Sequence, residues 1–62
     1  MQILIQPEYV TARRVIQQSP LSDAPPVPAG RRGSLDDEAD GFFLVDFGGP
    51  YGVVLCDPSE VR

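Results

Sequence analysis

Residues 41–56, GFFLVDFGGPYGVVLC, constrain the fold more than any other stretch of this 62-residue chain. Two runs rich in aromatic and β-branched residues flank GGPYG, the composition of strand, turn and strand. Gly48 and Gly49 can adopt positive φ and Pro50 pre-sets a turn, so a β-hairpin with a loop longer than two residues is predicted. Alternation puts Phe43, Val45 and Phe47 on one face of the first strand and Phe42, Leu44 and Asp46 on the other. On the second strand Val53 and Leu55 oppose Val54 and Cys56. Both faces are largely apolar, so the hairpin is expected to be covered on both sides, in a small barrel or at an interface.

The hairpin contains Asp46-Phe47-Gly48, the triplet with which protein kinases hold magnesium. Phosphoryl transfer also needs a catalytic loop, a phosphate-covering glycine loop and a lysine. The chain has no lysine and no room for those parts, so the triplet is read as strand and turn. After the hairpin, Asp57-Pro58-Ser59-Glu60 has the spacing of a capping box with proline at the first helical position, and predicts a single 3₁₀-like turn.

Residues 19–40, SPLSDAPPVPAGRRGSLDDEAD, are rich in proline, serine and acids and are expected to form a flexible, solvated, partly polyproline-like loop. Residues 1–62 are therefore read as one small domain in which only about 40 residues lie outside the loop, near the lower limit for an unaided fold. Without a second cysteine or any histidine, neither an internal disulfide nor a usual four-ligand zinc site can staple the core. Self-association, a partner or very good packing remains.

The N-terminal region has two readings. ILI at 3–5 suits a strand, and PEYVTARRVIQQS follows it. As a helix, Tyr9, Ala12, Val15 and Ile16 share a face; as a strand, Val10, Thr11, Val15 and Ile16 are favoured. A bend at 7–11 followed by a strand at 12–18 gives a mostly β fold; the alternative is an α+β fold of β-α-β-β order. ARRVIQQ at 12–18 and FFLVDFGGPYGVVLCDPSEVR at 42–62 resemble the strand, tight turn, strand and one-turn 3₁₀ ending of SH3-like small barrels of the Tudor and KOW type. That resemblance implies a small, partly open barrel or β-meander, a mostly non-catalytic family, and binding of peptides, proteins or nucleic acids.

Charge points to the class of partner. The net charge is −4, and all five basic residues are arginine. Residues 1–33 hold four arginines against two acids, whereas residues 34–62 hold seven acids against Arg62. This balance opposes binding to a phosphate backbone, although Arg13, Arg14, Arg31 and Arg32 define a nucleic-acid alternative. It favours a larger protein with a basic surface. The expected contacts are Asp36, Asp37, Glu38, Asp40 and Tyr51, the acids presented on the loop and the tyrosine at the hairpin tip. The spacing of the acids does not fit a calcium loop. Arg31-Arg32-Gly33-Ser34 has the form of a phosphorylation site, but Asp36 and Asp37 would repel the added phosphate.

Cys56 has no histidine to activate it, and no nucleophile–base pair, metal cluster or phosphate loop is present in the sequence, so no catalysis, metal or cofactor is expected. The lone thiol suits a reducing compartment. MQILIQP lacks the form of a signal peptide, and no apolar run nears the ~20 residues of a membrane span. The expectation is a cytoplasmic, membrane-independent, non-enzymatic interaction module, acting as an inhibitor or modulator of the kind viral and mobile-element genomes encode. A structural accessory subunit of a stable assembly, or a homo-oligomer, is the alternative.

Overall fold

In a computed structural model, residues 8–62 are described and are mostly β. Strands β1 (Glu8–Thr11), β2 (Arg32–Ala39), β3 (Phe42–Asp46) and β4 (Val53–Cys56) form one antiparallel sheet in the order β1-β2-β3-β4. A 3₁₀ turn, Pro58–Glu60, follows. No described residue is α-helical, so the β-α-β-β alternative is not what residues 8–18 adopt. The predicted bend and strand are also exchanged: residues 8–11 are the strand and the bend falls at 13–14. The strand expected at 3–5 lies outside the described residues.

The hairpin forms as its pattern dictates. Phe43, Val45 and Val54 face the core with Cys56, and the pairs Phe43–Cys56, Leu44–Leu55, Val45–Val54 and Asp46–Val53 lie opposite one another. Phe47 continues this register, its N–H donating to the Gly52 carbonyl at 3.0 Å. The Asp57 carboxylate accepts from the Ser59 N–H at 2.9 Å, and the Asp57 N–H donates to Glu60 Oε1 at 2.9 Å, completing the capping box. Hydrogen bonding from Ser59, its backbone N–H first and its side chain second, holds the Asp57 carboxyl below its usual value.

Residues 32–39 depart from expectation. RGSLDDEA sits in the stretch whose composition marks a solvated loop, yet it is the longest strand. Glycine, aspartate, glutamate and alanine are poor strand formers. Position overrides that preference, because β2 is interior and pairs with β1 on one side and β3 on the other. The acids remain hydrated because their side chains are exposed. An irregularity between Leu35 and Asp37 leaves Asp36 as an extra residue, a β-bulge. Asp40 and Gly41, at φ 53° and 80°, make the two-residue turn to β3, as an Asp-Gly pair does when both central residues need positive φ.

The excursion between β1 and β2 is tied down at its base. The Ala12 N–H donates to the Arg31 carbonyl (2.9 Å), Gly30 donates to the Ala12 carbonyl (2.8 Å), and Ile16 and Val27 bond reciprocally at 2.9 Å. Ala12, Ile16 and Val27 are buried with Val45, Phe47, Val54, Cys56 and Val61 in one core. Val27, within the proline-rich APPVPAG, thus belongs to the interior rather than to solvent. The chain returns to the end of β1 after the 3₁₀ turn: Thr11 and Arg62 bond reciprocally at 2.8 and 2.9 Å, and the Arg13 N–H donates to the Glu60 carbonyl at 2.8 Å.

Candidate interaction face

Because directly opposed residues share a face, the register defines the side of the sheet turned away from the core. Tyr9, Ser34, Asp46 and Val53 form one row across all four strands. Asp37, Leu44 and Leu55 form the next, and Ala39 and Phe42 the last. This face is open: Phe42, Val53 and Leu55 are 45%, 58% and 62% exposed. Among the described residues, therefore, one side of the hairpin is covered and the other is left open. Val54 and Cys56 face the core that the excursion and the returning C-terminal segment complete, whereas no described element lies over Val53 and Leu55.

At the β1–β2 end the face dips into an open concavity of about 540 Å³ lined by Tyr9, Arg32, Ser34, Asp46 and the Phe47-Gly48 segment. The Arg32 guanidinium lies 4.2 Å from the centre of the Tyr9 ring, a cation–π stack between diagonal neighbours on adjacent strands. Ser34 donates to Asp36 at 3.1 Å. Asp46 accepts from the Gly48 N–H at 2.9 Å, so the first residue of the Asp-Phe-Gly triplet organises the start of the turn while Phe47 fills the core. Ser34, with Arg31 and Arg32 ahead of it, is half-buried on an interior strand rather than on a loop.

The residues singled out from the sequence are not one cluster. Asp36, Asp37 and Glu38 stand on β2 and Asp40 on the β2–β3 turn, and all four are exposed. Tyr51 belongs to the β3–β4 turn, at the opposite end of β3. With five residues in β3, about 17 Å separates the two ends. Tyr51 is half-buried, and its ring carries the Arg31 guanidinium at 5.2 Å. Arg31 also donates twice to the Phe47 carbonyl, at 3.1 and 3.0 Å, and Gln18 donates to the Tyr51 carbonyl at 3.2 Å. Arg31 and Tyr51 thus fasten the hairpin loop to the excursion.

Of the acids, Asp37 lies within the outer face, beside Leu44 and Leu55. Glu38 lies opposite Phe43, on the row that ends at Cys56. The outer-face role of Val53, Leu55, Asp46 and Arg32 is not visible in residue type alone, because alternation gives two faces without saying which one the rest of the chain covers. Cys56 is buried, its thiol 3.6 Å from the Val54 carbonyl, and burial with a smaller contribution from Glu60 pushes its pKa up to about 11. That environment disfavours the thiolate a nucleophile needs.

Among the described residues no group of three or more His, Cys, Asp or Glu is placed to hold a metal ion, and no helix is long and apolar enough to cross a membrane. Compared with known proteins, the chain matches no family model, no curated protein and no solved structure.

Proposed function

We propose that this chain is a non-enzymatic protein-interaction module that binds a larger protein through the outer face of its sheet and thereby acts as an inhibitor or modulator. The observation that carries this reading is the grouping of Phe42, Leu44, Val53 and Leu55 with Asp37 and Asp46 on one open face. An apolar centre supplies area for association, and the flanking acids select a partner with a basic rim. We also read the fold as a small, partly open SH3-like barrel of the Tudor and KOW type. Support comes from the long excursion between β1 and β2, the hairpin followed by one 3₁₀ turn, and the return of Arg62 to Thr11. A cytoplasmic location goes with this reading.

The test is capture from extract of the source cells with three baits: the intact chain, a chain with Asp36, Asp37, Glu38 and Asp40 turned to amides, and a Val53→Asp/Leu55→Asp chain. The expected result is one dominant protein on the intact bait, weakened on the amide bait and lost on the doubly substituted β4 bait. Equal recovery on all three baits would sink the reading. The apolar strip also favours a second reading, a structural subunit of a stable assembly. Salt separates the two: complexes steered by exposed charge weaken as ionic strength rises, and core-like interfaces do not.

A further inference from the structure

The face just described ends at β4, and β4 pairs only with β3 among the described residues. In an antiparallel pair, hydrogen-bonded and non-hydrogen-bonded positions alternate. The Phe47 to Gly52 bond sets the phase. Counting in steps of two, Val54 and Cys56 turn their N–H and C=O groups toward β3, while Val53 and Leu55 turn theirs to the open edge. The two residues with outward backbone groups are also those whose side chains lie exposed on the outer face. Edge strands are usually blunted by a charge, a proline or a bulge. Val53–Cys56 has none of these and pairs with β3 without a register shift.

Most charges around this edge are acidic, the Arg31 guanidinium at the hairpin loop being held by the Phe47 carbonyl and the Tyr51 ring. Asp46 is opposite Val53 at one end. At the other, Asp57 follows Cys56, Glu60 is close enough to act on the Cys56 thiol, and Glu38 lies on the same cross-strand row. Among the described cations, Arg14 reaches Asp57. Residues 47–60 contain no basic side chain, so a second copy pairing through β4 would bring acids to acids.

We infer that the partner adds an extended strand to the edge of β4 that the described residues leave unpaired, with apolar side chains beside Val53 and Leu55, and arginine or lysine both at the alternate positions, toward Glu38 and Glu60, and at the strand end beside Asp46. This rests on the proposed function and specifies how its interface is made. Main-chain bonds would supply affinity, and alternation would supply specificity.

The probe is a fluorescein-labelled, end-capped ten-residue peptide of alternating valine and arginine, with a valine–glutamate peptide as control. The chain is short enough for chemical synthesis, so Leu55 can be replaced by its α-hydroxy acid, which removes one N–H and keeps the side chain. That N–H has no partner among the described residues, but the ester also weakens the Val54 carbonyl as an acceptor toward β3, so a modest fall in melting temperature is expected and binding is compared well below it, with folding of the ester form checked by circular dichroism. The arginine peptide is expected to bind by fluorescence anisotropy and the glutamate peptide is not. The ester should weaken binding about three- to tenfold, the net worth of one hydrogen bond. If the ester binds equally and Leu55→Asp does not, side chains alone make the contact: strand addition fails while the proposed function stands. No binding of the arginine peptide at millimolar concentration, or equal binding of both peptides, overturns the inferred partner chemistry. Self-association of the chain that the ester abolishes would make the second copy the occupant, and would equally overturn it.

Discussion

Replacing Gly33 by alanine tests the packing account most directly. Gly33 lies on β2 opposite Val10, where a Cβ would come 2.7 Å from Val45 Cγ1, 2.8 Å from the Asp46 carbonyl oxygen and 2.8 Å from Phe47 Cδ1. All three approaches are closer than carbon tolerates. Val45 and Phe47 are buried and have no open side to move into, and the third atom is backbone. Overpacking of a filled core costs about 1–3 kcal/mol. Stiffening the unfolded chain returns roughly 0.4–1 kcal/mol at a position whose backbone suits alanine. A net loss of about 1–2 kcal/mol is therefore expected, against a total that rarely exceeds about 3–5 kcal/mol for a core of this size. At roughly 4–8 °C per kcal/mol, the melting temperature should fall by about 10 °C. Thermal and urea unfolding followed by circular dichroism would measure it. The steric origin has its own check: in a Val45→Ala background, where Cγ1 is gone, Gly33→Ala should cost less than in the parent. A melting temperature within about 2 °C of the parent, or an equal cost in both backgrounds, would refute the packing argument.

Three further outcomes follow from the same geometry. Arg31→Ala removes two bonds to Phe47 and the stack on Tyr51, so amide hydrogen exchange should accelerate across residues 47–52, with much less change at the β2–β3 turn. Cys56 should resist iodoacetamide in the folded protein and react at once in denaturant; because its folded pKa is raised to about 11 from 9, its stabilising contribution is complete below pH 9 and is lost as pH rises through 11, a fall that Cys56→Ala should lack. Asp57→Ala deletes the cap on the 3₁₀ turn and should lower the melting temperature; the capping contribution of the native carboxylate, whose folded pKa is depressed, is present above its ordinary pKa and fades as pH falls through the folded value.

The hairpin and the capping box were legible in the sequence because their signals are local. Aromatic and β-branched runs around GGPYG, and an acid three residues after Asp57, act over a few positions and meet no strong competitor. β2 was hidden because its residues are individually poor strand formers, and what makes RGSLDDEA a strand is the presence of β1 and β3 beside it. The Asp40-Gly41 turn was legible in principle, as an Asp-Gly pair ahead of an apolar run, but the acids around it read as a solvated tract. Val27 was obscured in the same way by its prolines. At the candidate site, alternation correctly separated Val53 and Leu55 from Val54 and Cys56. Which pair the chain would bury depended on the excursion and on Val61, contacts that no local pattern encodes.

The return of the chain at Arg62 has a mechanical consequence. Thr11 pairs with Arg62 and Ala12 with Val61 in antiparallel sense, so Glu8 and Arg62 leave the pair on the same side. A force applied across those two residues acts along the hydrogen bonds, which lie perpendicular to the strands, rather than sliding the strands past each other. The bonds would then yield in turn, Thr11–Arg62 first, instead of sharing the load. Tension across these points would peel Val61 from the core before it strained the β3–β4 hairpin, making the closure the soft point of the fold under load.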